Sequence, residues 1–197
     1  MGAGDAFAGL MAVDPVVHLA VRAGFAVLFV ATLAHKLLDF RRFRLAVAAY
    51  FRGIALAADT PAAMLAGIAA GLEGLAVAAC VVPISGAVPA VLTGGILLLY
   101  ALAMGLNLLR GNVLLDCGCS FGAERHPVSP KLVLRNVALA LVAALVALPV
   151  IPRAMGLLDY LSAFASVAVA VLVFFIIGQF SQINRQRANL GQVSNHR

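Results

Sequence analysis

Asp116-Cys117-Gly118-Cys119-Ser120-Phe121-Gly122 puts two thiols one residue apart in a polar loop between two long apolar runs. That pattern supports dithiol–disulfide chemistry. Gly118 lets the chain bend tightly enough for the sulfurs of Cys117 and Cys119 to meet, because glycine reaches backbone angles closed to residues with a Cβ. A disulfide closed over so short a ring departs from relaxed geometry, stores strain and is readily reduced. Labile disulfides of this kind are the catalytic or regulatory ones. One cysteine would form a mixed disulfide and the other would resolve it. Asp116 disfavours the thiolate beside it, while Arg125 and His126 would favour it if the loop folds back. A metal site is the second reading of the same residues, with His126 as a third ligand, but no further cysteine pair or histidine cluster completes the set. An inert structural pair is the third. The remaining cysteine, Cys80, sits in an apolar run and reads as a small buried hydrophobe.

Other residues able to do chemistry lie inside apolar segments. His18, Arg22, Phe25, Phe29, Thr32, Lys36 and Asp39 are spaced by alternating fours and threes, which puts them on one helical stripe. Glu73 and Cys80 are seven residues apart and share a face. Gly67 and Gly71 form a small-xxx-small pattern suited to close helix contact. Charges in a membrane face the bundle interior or a water-filled cavity. Depths counted from the segment ends, ~9 Å for Arg22 and ~13 Å for Glu73 at ~1.5 Å per residue, predict an Arg22–Glu73 ion pair. Such charges read first as a structural pair that fixes helix packing, and second as a proton path serving the thiols.

The elements that must hold these residues are membrane-spanning. In 197 residues, 63% are hydrophobic and 11% charged, and the mean hydropathy is +1.05. A soluble domain carries about 25% charged residues. Apolar segments at roughly 16–38, 61–82, 88–109, 131–151 and 157–180 are each near the ~20 residues needed to cross a bilayer. They must be helical there, since an unpaired amide in hydrocarbon costs several kcal/mol. The fold expected is an all-α integral membrane bundle of about five transmembrane helices, a single domain over 1–180. A polar, basic tail follows at 181–197. Residues 39–58 interleave Arg41, Arg42, Arg44 and Arg52 with Phe40, Phe43, Leu45, Val47 and Tyr50, as suits an amphipathic helix lying in the headgroup plane. The N-terminus lacks the basic region of a secretory signal, so no cleaved peptide is expected. The net charge of +6 belongs to topology rather than to nucleic acid, because no aromatic-interleaved basic patch occurs.

Ala103 to Arg110, then Asp116-Cys117-Gly118-Cys119, then Leu132-Val133-Leu134-Arg135-Asn136 resemble the MauE family, methylamine-utilisation membrane proteins related to the DoxX-like bundles. His35 to Phe40, with Phe43 and Tyr50, resembles the stretch after the family's first helix. The resemblance covers about 16–180 and implies a four-helix DoxX-like core plus one helix. It also implies a role in maturing the small subunit of methylamine dehydrogenase, a periplasmic protein rich in disulfides that carries a quinone made from its own tryptophans. Cys117 and Cys119 would then be a redox pair working with the thioredoxin-like protein MauD, in a bacterial inner membrane. In the family, Gly closely follows the Cys-Gly-Cys motif; here Ser120 and Phe121 intervene. No cofactor is expected. A lipid-soluble quinone would be a reasonable electron acceptor for such a dithiol, but no residues mark a site for it. The alternatives are an assembly scaffold or small transporter that works through its polar stripe, and a metal-delivery protein.

Sidedness sets two expectations against each other. Lys36, Arg41, Arg42, Arg44, Arg52, Arg110, Arg125, Lys131, Arg135, Arg185, Arg187 and Arg197 fall on one face of a five-span chain, with little beyond Arg153 on the other. The positive-inside rule then places the N-terminus outside and the cysteine loop inside. Disulfides of a periplasmic substrate form outside.

Overall fold

A computed structural model describes residues 12–51, 61–111 and 129–194, with side chains in the last helix as far as Ile176, Phe175 excepted. Six helices follow in order: α1 (Pro15–Leu38), α2 (Phe40–Tyr50), α3 (Ala62–Val81), α4 (Ala87–Leu109), α5 (Pro130–Ala144, extended by a 3₁₀ turn at Leu145–Ala147) and α6 (Leu157–Ser194). Five of them, all but α2, are long and apolar enough to cross a membrane. The protein is an all-α, multi-pass membrane protein, and a bacterial inner membrane is the compartment this fits. Leu98, Leu99 and Leu102 of α4 and Leu161, Phe164 and Leu172 of α6 are exposed. An outward apolar surface of this extent is covered by lipid.

Local chemistry sets the helix ends. Asp14 caps α1, its Oδ1 accepting from the Val16 N–H at 2.8 Å, and Pro15 follows at the first helical position, where a missing N–H costs nothing. Asp39 ends α1 and starts α2, accepting from the Arg42 N–H at 3.0 Å. It thus sits at the corner between two helices rather than on the α1 stripe. Helix α2 is amphipathic as expected: Phe43 is buried, while Arg41, Arg42 and Arg44 are exposed. Helix α6 is continuous from Leu157 to Ser194, through the polar stretch beyond Ser181.

The core gathers Phe25 and Phe29 of α1, Ala76 and Cys80 of α3, Ile96 and Leu97 of α4, and Ala140 and Ala143 of α5. The α1 stripe is therefore its packed side. Helix α3 approaches its neighbours through Ala66, Ala70, Ala76 and Ala79, all buried. Gly67 and Gly71 are exposed and meet nothing within 4 Å, which corrects the expectation that they make the close contact. The glycine pattern lies one position off the inward face, and the alanines do the work. Helix α6 packs chiefly along α1, the single added helix of a four-helix core.

The two poles of the bundle differ. At one, Arg153 bridges Asp14 and Asp159 at 2.9–3.1 Å, and the guanidinium holds the Asp14 carboxyl below the usual carboxylate range. The other pole carries α2, the end of α4 and the start of α5, with Arg41, Arg42, Arg44, Arg110 and Lys131 exposed. Helices α4 and α5 are antiparallel and level at the Arg153 pole, where Gly86 meets Val146. A Cβ on Gly86 would lie 2.0 Å from the Val146 carbonyl oxygen. Gly86→Ala is expected to cost about 1–3 kcal/mol through forced separation of the two backbones, read as a lower melting temperature in detergent. Since α4 has 23 residues and α5 with its 3₁₀ turn has 18, the chain enters α5 about 7 Å deeper than it leaves α4, at ~1.5 Å per residue.

Candidate functional site

The basic pole is where the cysteine loop begins and ends. Asp116, Cys117, Gly118, Cys119, Arg125 and His126 lie outside the described residues. Asn107, buried near the end of α4, donates to the carbonyls of Ala103 at 2.9 Å and Tyr50 at 3.3 Å. That bond ties the last turn of α4 to the end of α2, just before the chain departs at Gly111.

Deeper in the same half of the bundle lies a polar cluster built on a buried ion pair. Lys36 is 2% exposed and Glu73 0%. The Lys36 ammonium donates to Glu73 Oε1 and to the Tyr100 hydroxyl at 3.0 Å. Tyr100 in turn donates to Glu73 Oε1 at 2.6 Å. The ammonium also lies 4.9 Å from the Phe43 ring centroid and 4.7 Å from that of Tyr100, distances at which ring faces attract cations. Phe40 meets Phe43 edge to face at 6.4 Å. One ammonium thus ties α1, α2, α3 and α4 together. Glu73 Oε2 is buried with no hydrogen-bond partner among the described residues.

This arrangement overturns the Arg22–Glu73 pair. Side chains on a helix tilt toward its N-terminus. Arg22 therefore leans toward the start of α1, which lies beside the end of antiparallel α3. Glu73 leans the other way, toward the start of α3 and the end of α1. Arg22 finds carbonyls in the last turn of α3 and in the segment just after it: Ala79 at 3.0 Å, Cys80 at 3.1 Å, Val82 at 2.5 Å and Ile84 at 3.4 Å. Lys36 points back along α1 and meets Glu73. Glu73 and Cys80 do share the inward face, as the spacing predicts, and Cys80 is buried and free.

Tyr100 was not singled out from the sequence, although a signal exists. Thr93, Tyr100 and Asn107 recur at intervals of seven in α4, which places three polar groups on one stripe of a lipid-embedded helix. Thr93 and Asn107 are buried and Tyr100 is half-buried. Among the described residues no group of three His, Cys, Asp or Glu side chains could hold a metal ion.

The family model of the methylamine utilisation protein MauE matches residues 14–150, from the cap of α1 to the end of the segment after α5. The chain belongs to the MauE family. The matched region holds the whole Lys36–Glu73–Tyr100 cluster and the cysteine loop. Among the relatives, the methylamine utilization protein MauE of Paracoccus denitrificans is 36% identical over 137 residues, 68% of this chain and 70% of the relative. That of Paracoccus versutus is 32% identical over 165 residues, 82% and 86% of the two chains. A third, from Methylorubrum extorquens, is 35% identical over 82 residues, 41% of this chain and 44% of the relative. No solved structure matches the chain significantly. MauE-family membership ties the protein to methylamine utilisation.

Proposed function

We propose that this MauE-family protein is a membrane thiol–disulfide component that assists maturation of the methylamine dehydrogenase small subunit. The working groups are Cys117 and Cys119, and the partner is a thioredoxin-like protein. What supports the reading is the Cys-Gly-Cys motif itself, carried by a MauE-family chain in the loop between two spans. The exchange is balanced within the two proteins. A partner thiolate attacks one sulfur of the Cys117–Cys119 disulfide; the new intermolecular S–S bond forms as the old one breaks, leaving a thiolate on the other cysteine. The partner's second thiolate then attacks the mixed disulfide, so the partner becomes a disulfide and the pair a dithiol, two electrons having passed to it. Run backwards, the same steps oxidise the pair. Asp116, Arg125 and His126 tune which sulfur holds the negative charge.

The Lys36–Glu73–Tyr100 cluster is the support: it joins the end of α1 to α2, α3 and α4 in the half of the bundle from which the loop starts. The experiment is alkylation of purified protein poised at a series of thiol–disulfide potentials, followed by mass measurement. Cys117 and Cys119 are expected to lose and gain their two labels together, with Cys80 unchanged. Two labels retained under every oxidising condition would contradict the reading. Labelling single-cysteine variants with an impermeant maleimide, in intact and permeabilised cells, reports the side from which the pair is reached.

A further inference from the structure

Helix α2 crosses the basic pole instead of entering the membrane. It begins at Asp39, the corner that ends α1. It ends at Tyr50, whose carbonyl accepts from Asn107 in the last turn of α4. Both ends of α2 are therefore level with the ends of membrane-spanning helices, at the depth of the headgroups. Along its length α2 packs mainly on α3. Phe43, over the Lys36 ammonium, is its only buried side chain. A helix of 11 residues is marginal by itself in water, so one buried ring leaves much of its hold to whatever meets the outer face.

That outer face mixes charge with apolar bulk. Arg41, Arg44 and Leu45 share it, three and four residues apart, and all three are exposed. Phe40 and Phe51, at the two ends of the helix, are exposed as well. Among the described residues Asp39 is the one exposed acid at this pole, and its carboxylate already accepts from the Arg42 N–H. The arginines thus have almost no counter-charge on the protein. Cations set among large apolar side chains suit the boundary where phosphates meet acyl chains. An acidic soluble surface would match the charge and not the apolar residues. Topology alone asks only for basic residues somewhere in a short loop, whereas here a capped helix holds them in place. We propose that α2 is a binding surface for anionic phospholipids, whose phosphates accept from Arg41 and Arg44 while Leu45 and Phe51 enter the acyl boundary. The bound lipid holds α2 down, and through Phe43 it keeps the Lys36–Glu73 pair covered.

The test is amide hydrogen exchange of the full chain in two kinds of vesicle. One is phosphatidylcholine alone, and the other adds phosphatidylglycerol with the same acyl chains. Exchange within Phe40–Tyr50 is expected to slow when phosphatidylglycerol is present, with α3 and α4 unchanged. Arg41→Gln and Arg44→Gln should each reduce that slowing about fivefold, the worth of one basic group at an anionic membrane surface. Arg41→Lys/Arg44→Lys should keep most of it, which separates charge from helix folding. Equal exchange of α2 in the two vesicles would overturn the proposal. So would a phosphatidylglycerol effect that survives in the Arg41→Gln/Arg44→Gln double variant. Slowing by poly-glutamate in phosphatidylcholine vesicles, with none by phosphatidylglycerol, would also overturn it and give the surface to an acidic protein.

Discussion

Glu73→Leu is expected to destabilise the bundle by about 3–5 kcal/mol, the cost of stripping one partner from a buried ion pair. Glu73 is fully buried and Lys36 nearly so, so the ammonium left behind would be a buried charge without a counter-ion. The Tyr100 hydroxyl, which now accepts from Lys36 and donates to Glu73, would lose its acceptor as well. Lys36→Met should cost a similar amount by leaving the carboxylate alone. The pair as a whole is another matter, because two ions taken out of water repay their desolvation only through each other. The double variant Lys36→Met/Glu73→Leu is therefore expected to regain most of the loss, giving a coupling of several kcal/mol in a double-mutant cycle. Tyr100→Phe removes one hydroxyl from the network and should cost about 1–2 kcal/mol. Arg22→Ala combined with Glu73→Leu should be additive, since Arg22 is bonded to carbonyls at the far end of α3. Midpoints of thermal loss from the monodisperse peak in detergent provide all these values. Additive Lys36 and Glu73 losses would remove the cluster from its place as the bundle's fastening.

The second large effect concerns function. Cys117→Ser and Cys119→Ser are each expected to reduce mature methylamine dehydrogenase to the level of a strain lacking the protein. Neither variant can form or resolve an intramolecular disulfide, and a lone thiol stalls at the mixed disulfide. Cys80→Ala should leave maturation intact, because Cys80 is packed in the core with Phe25, Phe29 and Ala76. The measurement is the amount of correctly disulfide-bonded small subunit in cells grown on methylamine. If both serine variants mature it normally while Lys36 or Glu73 variants do not, the working part is the polar cluster, and a scaffold or transporter role takes over.

Periodicity made much of this fold legible. The membrane class follows from composition, and the packed face of α1 from the spacing of Phe25, Phe29 and Lys36. Glu73 and Cys80 could be placed on the inward face of α3 because seven residues make two turns. Depth was harder. Counting from segment ends put Arg22 within a turn of Glu73, but side chains lean toward their own helix N-termini, and in an antiparallel pair those leans carry the two groups apart. Lys36 reaches Glu73 by the same rule. The glycines of α3 misled for a related reason: a small residue permits contact only on the face turned inward, and the alanine row one position away holds that face. Tyr100 depended on a polar repeat in α4 that no charge advertised. The cysteine motif was legible from the sequence alone, and the described structure ties the end of α4 that precedes it to α2 through Asn107 and Tyr50.

The charge asymmetry remains part of the account. Arg41, Arg42, Arg44, Arg110 and Lys131 are exposed at the pole from which the loop departs, whereas Arg153 at the other is neutralised by Asp14 and Asp159. By the positive-inside rule the loop pole faces the cytoplasm, while the disulfides of the proposed substrate would form outside. A pair that exchanges electrons across this boundary needs a partner able to reach it, and the identity of that partner is the point on which the account turns. The measurement is to express Cys117→Ser and Cys119→Ser variants separately, quench the cells in acid, and resolve thiol-linked complexes without reductant. One of the two variants is predicted to trap a covalent complex with a thioredoxin-like protein that reductant dissolves. Absence of any such complex from both variants, with maturation unimpaired, would contradict the redox role of the Cys-Gly-Cys pair.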